Sequence, residues 1–321
     1  MKIVFLCARY RPSIGGVERH VEEISERLVA KGHTVTILSE GDFNFGKPGF
    51  MKKFRIWGKM IQQIPLFLSA DVIHIHDVFF WYLPVRVLLF FKPVYATFHG
   101  YEGIVPPTRK SVFIRRLSEL LSKRTIEVGS YIQKWYGTHP TKVIYGGSTY
   151  IISKPVEDTK DRNKTSYALI GRLTEDIGLP LYVKFFSTLK KNKIPYSLDV
   201  YGDGPYKSNI EKYGRIHGVV DETMQAIMKA DIVCASSYLS IIDALSFGKP
   251  VLAFYNNPLK KDYLNGFPLL QHIMVSDNVE DALTKIESRN KEWNARKIIE
   301  ETHNTFSWDQ IMKDYLELWK K

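Results

Sequence analysis

The chain has 321 residues, 45 Lys and Arg against 34 Asp and Glu for a formal net charge of +11, and two cysteines. At 45% hydrophobic and 25% charged residues, the composition excludes intrinsic disorder and collagen-like repeats, and the length suits two domains. Cys7 and Cys234 cannot build a disulfide framework or a metal cluster, which points to a reducing compartment and a cytoplasmic protein.

The charge is uneven. Residues 1–155 hold 22 basic and 11 acidic residues, whereas the remainder holds 23 of each. A basic half beside a neutral half suits an anionic partner, either a membrane surface or nucleic acid. A lysine-rich soluble surface is the other reading. No nucleic-acid-binding motif is present, so nucleic acid is not expected as a partner.

The run Ile3–Ala8 is too short for a secretory h-region, and Lys2–Cys7 reads as the buried first strand of a parallel sheet. A loop through Arg11, Pro12, Gly15 and Gly16 follows. Apolar spacing at Val17, Val21, Ile24, Leu28 and Val29 then predicts an amphipathic helix that stops at Gly32. Val35–Leu38, Asp71–His76 and Val94–Phe98 read as further strands. Pro84, Arg86, Lys92 and Pro93 interrupt the most apolar window, Val78–Phe98, and disqualify it as a membrane span. Phe50–Leu68 and Arg109–Arg124 place lysines and arginines, Arg115 among them, around apolar residues, a pattern suited to anionic lipid. The same pattern fits helices with one face in the core and solvated lysines.

The charged stretch Lys154–Lys164 reads as a linker, after which the pattern restarts. Tyr167–Ile170, Ser197–Tyr201, Ile232–Ala235 and Pro250–Phe254 read as strands, with helices expected over Pro180–Leu189 and Ile241–Ser246. Alternation of this kind predicts an α/β chain of two Rossmann-like domains facing a deep cleft, 1–155 and 156–305. The last helix, within 306–321, is amphipathic and is expected to pack back on the first domain.

Three places in this frame suit an anionic nucleotide. Gly15 and Gly16 precede a helix N-terminus, where backbone can approach a diphosphate closely. Gly171 and Arg172 follow a strand and supply a planar cation for two parallel hydrogen bonds. Leu239 and Ser240 open a helix whose Asp243 could accept hydrogen bonds from ribose. His74 and His76 share one face of a strand; with no third ligand evident, they are read as structural and no metal is expected.

The segments RPSIGGVERH, DVIHIHD, ATFHG, IGRL, YGDGP, HGVVDE, KADIV and IDALSFGKPVLA occur in that order. In this they resemble the retaining nucleotide-sugar glycosyltransferases of family 4, which have the GT-B fold. The resemblance implies a nucleotide-sugar donor held mainly by the second domain and a carbohydrate or lipid-linked acceptor held by the first. No cofactor or metal would be required. Gly15 and Gly16 would border the donor phosphates, and Arg172 beside Gly171 would neutralise the diphosphate. Asp243 would hold the ribose, the backbone at Gly218 and Val220 would flank the base, and His99 would lie near the transferred sugar.

The chain departs from the family pattern at three points. Ile177 stands where a diphosphate-binding lysine is common, with Lys184 a substitute or simply a solvated helix residue. The usual Glu-Gly-Phe-Gly loop is deleted, so Ala235–Tyr238 runs straight into Leu239-Ser240. Gly146–Thr149 replaces a common Asn-Gly-Val-Asp segment. The expected protein is a retaining glycosyltransferase, cytoplasmic or peripheral on the cytoplasmic membrane face. The alternative is a degenerate, non-catalytic nucleotide- or carbohydrate-binding partner of another transferase.

Overall fold

A computed structural model describes residues 1–43, 51–101, 103–150, 152, 163–289 and 293–320. The chain forms two units, Met1–Ile144 with Trp308–Lys321, and Tyr145–Ser307. Apart from Asn163 and Lys164, the expected linker Lys154–Lys164 lies outside the described residues.

The first unit holds β1 (Lys2–Cys7), β2 (Thr34–Leu38), β3 (Val72–His76), β4 (Val94–Phe98), β5 (Arg124–Val128) and β6 (Lys142–Ile144). They form one parallel sheet in the order β2-β1-β3-β4-β5-β6. Every residue of β3 and β4 is buried, as expected for interior parallel strands covered on both faces. Pairing of β1 with β3 sets Cys7 beside His76. The helix Gly16–Ala30 buries His20, Val21, Ile24 and Leu28, one stripe at helical spacing. The final helix, Trp308–Lys320, packs on it.

The second unit holds β7 (Thr165–Ile170), β8 (Tyr196–Tyr201), β9 (Arg215–Gly218), β10 (Ile232–Cys234), β11 (Val251–Phe254) and β12 (Ile273–Ser276). They too form one parallel sheet, in the order β12-β11-β10-β7-β8-β9. Strand order reverses between β1 and β3 in one unit and between β7 and β10 in the other. In open parallel sheets, ligands bind outside the carboxyl ends of the strands at such reversals.

The stretch expected over Phe50–Leu68 is two helices, Lys52–Gln62 and Ile64–Ser69, with Pro65 in the first turn of the second. Proline lacks an N–H, so it opens a helix without loss. The helix expected at Ile241 starts earlier and spans Tyr238–Ser246. None of the described helices is long and apolar enough to cross a membrane.

Candidate functional site

In the first unit, the carboxyl ends of β1, β3 and β4 surround a histidine cluster. His76 ends β3, His99 follows β4, and His20 comes from the helix after β1. The His20 ring meets His99 edge-on at 4.7 Å, and His76 lies 5.2 Å from His99, centroid to centroid. His74, on the same face of β3, is buried among Tyr95, Tyr315 and Trp319, the structural placement its alternation suggests.

The hydrogen-bond network defines the protons. Trp319 Nε1–H donates to His74 Nδ1 at 3.1 Å, so His74 carries its proton on Nε2 and donates to Thr97 Oγ1 at 2.7 Å. The Thr97 hydroxyl is then left to donate to Tyr315 Oη at 2.7 Å, and Tyr315 donates to His20 Nε2 at 2.9 Å. His76 Nδ1 and His99 Nε2 are 2.9 Å apart, and the buried His76 Nε2 has no described partner. A buried lone pair is cheaper to leave unpaired than a buried N–H, so the shared proton belongs to His76 Nδ1. His99 Nε2 therefore accepts, and His99 carries its own proton on Nδ1.

All four imidazoles are neutral at pH 7. Burial, followed by their mutual influence, holds His20, His74 and His76 well below the usual imidazole range. Burial, assisted by the Arg115 guanidinium, pushes His99 down to about 3. His99 is thus an N–H donor and not a general acid.

Asp77 and Arg115 fix its position. Asp77 adopts a left-handed backbone (φ 64°), a conformation Asp tolerates better than most residues, and its Oδ1 accepts the His99 backbone N–H at 2.9 Å. The Arg115 side chain, only 10% exposed, donates to the Gly100 carbonyl at 2.7 Å and lies over the Phe98 and Tyr136 rings. This corrects its placement in the cationic rim of a lipid-facing helix: it is an internal residue. Nearby, Glu127 is fully buried and accepts from the Thr138 hydroxyl. Burial pushes its carboxyl up to about 7.

Gly15 and Gly16 begin the helix after β1. Gly15 is in extended backbone, and a side chain there would meet the carboxylate of Glu18, which folds back over the helix start. That carboxylate already occupies the favourable end of the helix dipole.

In the second unit, Gly171 and Arg172 follow β7. Arg172 is 71% exposed in its side chain, and its guanidinium donates to Asp176 Oδ2 at 2.9 Å. Gly202, after β8, has a φ of 159°, and a Cβ there would collide with the Gly171 carbonyl. The YGDGP segment thus needs glycine for the two loops to touch. β10 passes into the helix Tyr238–Ser246 through Ala235–Ser237 alone, so the deletion read in the sequence is a short strand-to-helix turn. Ser240 Oγ lies 3.3 Å from Ser237 Oγ, and Leu239 packs near Gly146. Asp243 is 1% exposed, inside the helix body. Lys184 is exposed on the helix Leu179–Lys191, and no described contact joins it to Arg172. Gly218 ends the edge strand β9 with φ 77°, and Val220 lies in the loop beyond.

Sequence reasoning missed His20, Thr97, Tyr315 and Lys260. His20 alone carried a signal, since it extends the buried stripe Val21, Ile24 and Leu28. Lys260 opens toward none in sequence: it is a lysine buried to 3% exposure in the helix Pro258–Asn265. Among the described residues, no group of His, Cys, Asp and Glu could hold a metal.

Comparison with known proteins bears on both units. Residues 14–147 match the model of Glycosyltransferase Family 4. No curated protein matches by sequence. A glycosyltransferase from Rickettsia africae ESF-5 superposes with a TM-score of 0.70 at 18% identity, covering 99% of this chain and 98% of its own. Anabaena Alr3699/HepE, solved in complex with UDP and glucose, gives 0.69 at 15% identity, with both chains covered completely (100%). The catalytic domain of Starch Synthase IV from Arabidopsis thaliana, bound to ADP and acarbose, gives 0.67 at 13% identity, covering 100% of this chain and 99% of its own. The chain has the GT-B fold of glycosyltransferases, and its residues 14–147 resemble Glycosyltransferase Family 4.

Proposed function

We propose that this glycosyltransferase moves a sugar from a nucleoside-diphosphate sugar to a hydroxyl acceptor with retention of anomeric configuration. The observation that carries this reading is the fitting of the β7/β10 reversal: an arginine loop beside a helix N-terminus, as a departing diphosphate requires. UDP and ADP in the similar structures named above support the donor class. The new bond forms between the acceptor oxygen and the anomeric carbon while the bond from that carbon to phosphate breaks. The hydroxyl proton passes to the leaving phosphate, whose charge Arg172 offsets. His99 donates Nδ1–H to a sugar hydroxyl; its neutrality suits that role across the working pH range. A panel of UDP-, ADP- and GDP-sugars tested for donor hydrolysis checks the reading. Turnover of one donor, slowed about 10²–10³-fold in Arg172→Ala, is the expected result, and no turnover or binding of any donor would overturn it.

The acceptor, in this reading, is a lipid or lipid-linked glycan at the anionic cytoplasmic face of a membrane. Helices Phe79–Leu88 and Arg109–Leu121 are tied at their ends by Arg86, which donates to the Phe90 and Leu121 carbonyls at 2.6 and 2.8 Å. Beside this tie, Phe90 is 74% exposed and Leu120 79%, with Val87, Phe91 and Phe113 also exposed. Arg109, Lys110, Arg116 and Lys123 are exposed around them. An apolar cluster of this kind with a cationic rim fits an anionic bilayer surface. Wild type should sediment with phosphatidylglycerol vesicles and not with phosphatidylcholine, and F90S/F91S/L120S should stay in solution. Equal sedimentation of wild type and variant would remove the membrane reading.

A further inference from the structure

The resemblance leaves this chain one cation short at the diphosphate, where Ile177 stands in place of a lysine. A second cation nevertheless stands at the same reversal. Lys260 comes from the helix after β11, and β11 pairs with β10, which pairs with β7. Its side chain is almost wholly buried, 3% exposed, and its ammonium makes no hydrogen bond or ion pair with a described residue. What it does touch is the Tyr263 ring, 3.8 Å from the ring centre. Tyr263 Oη accepts the backbone N–H of Tyr238, the first residue of the helix after β10, at 2.8 Å. The Tyr238 and Tyr263 rings stack at 3.9 Å. The ammonium therefore lies against the residues that frame the helix N-terminus.

It is also within electrostatic reach of the arginine loop. Asp176, which accepts from Arg172, draws the Lys260 charge in, while Arg172 opposes it. Burial outweighs both and pushes the ammonium down to about 7. A cation held this way gains from an anion, because neither the Tyr263 ring nor a carboxylate shared with Arg172 supplies a full counter-charge. The three groups stand on successive β-strand exits: Arg172 after β7, the helix start after β10, Lys260 after β11.

We propose that Lys260 binds a phosphate oxygen of the donor diphosphate, supplying from the β11 side the cation that the loop after β7 lacks at Ile177. The proposal rests on the nucleotide-sugar reading and adds a residue to it. It also accounts for a deleted loop after β10: Tyr238, drawn close to β10 by that short turn, is what holds Tyr263 beneath the ammonium.

The test is calorimetric binding of UDP, ADP and GDP, the parent nucleosides and inorganic pyrophosphate to wild type and Lys260→Met. Methionine matches the lysine stem in length and suits a buried site, so the variant should fold, which its melting temperature checks. Lys261→Met, the exposed neighbour, is the control. The diphosphate that wild type binds should bind Lys260→Met about 10–100-fold more weakly, with pyrophosphate weakened in parallel and the nucleoside unchanged. At pH 8, wild type should take up a fraction of a proton on binding, because the anion restores the charge of Lys260 among Asp176, Arg172 and Tyr263; the variant should not. Equal diphosphate affinity and equal proton uptake in the two proteins would overturn the role of Lys260 and leave the donor reading standing. If wild type bound pyrophosphate but no nucleotide, the donor reading would fall and the pyrophosphate comparison would still judge Lys260. Binding of neither would sink both.

Discussion

The two units share a plan of six parallel strands and differ in what they set at the carboxyl ends. The first places four neutral histidines there, His74 and His20 linked through Thr97 and Tyr315, and His76 paired with His99. The second places Arg172 and Lys260 around one carboxylate. Neutral imidazoles recognise hydroxyls by the direction of a hydrogen bond, whereas cations recognise phosphate by charge. The overall charges run the other way. The first unit has 24 basic and 14 acidic residues and the second 21 and 20, so the basic unit has the uncharged interior site. Its excess lies on outer helices such as Arg109–Leu121, which is why net charge alone misdirects a search for the proposed nucleotide site.

Acid should separate the units most. Each cluster histidine binds its proton more readily in the unfolded chain, so its contribution is complete above pH 6.5 and is lost as pH falls through its lowered folded value, about 3 for His99. The first unit should unfold first on acidification. Tryptophan fluorescence reads it well, since Trp57, Trp81, Trp135, Trp308 and Trp319 belong to that unit and only Trp293 to the other. Earlier loss of the second unit would break the comparison.

Arg172→Ala should come next, slowing transfer by about 10²–10³-fold, or about 2–4 kcal/mol, with almost no change in melting temperature because the side chain is exposed. A fall in stability matching the fall in rate would make it a structural residue. Glu127→Gln should have an effect of opposite sign in the first unit. The raised carboxyl contributes fully below pH 4.5 and its contribution is lost as pH rises through about 7, so the amide should stabilise by roughly 1–3 kcal/mol at pH 8 and not at pH 4.5. Chemical denaturation at the two pH values checks this. The smallest effect belongs to His99→Gln, which keeps an N–H donor and should slow transfer about tenfold. A wild-type rate profile showing an inflection near pH 6.5 that vanishes in this variant would mean that His99 titrates and is not the neutral donor described above.

The parts of the fold legible in the sequence were those written in burial. β1, β3 and β4 read directly because both their faces are covered, and so did the stripe of Gly16–Ala30. β5 is hard to read because RTIEV carries Arg124 and Glu127 in an otherwise strand-like run, and β6 and β9 because they are short edge strands. At the site, Arg172 and His99 stood out through the family motifs. Lys260 and Arg115 could not, since a lysine in PLKKDYLN and an arginine in RKSVFIRRLSELL look like solvated helix residues until tertiary packing buries them. The sequence predicts the helix Tyr238–Ser246 only from Ile241 because Ser236 and Ser237 suit a loop as well as a helix start.

The passage of Trp308–Lys320 into the first unit has a consequence for biosynthesis. The second unit is continuous from Tyr145 to Ser307, whereas the first needs residues from both ends of the chain. Tyr315 and Trp319 complete the hydrogen bonds of His20, Thr97 and His74, so that interior stays open until residues 308–320 have been translated. A ribosome pausing before Trp308 would therefore carry a finished second unit and a first unit with its histidines unsealed, the state in which a chaperone or protease would meet it.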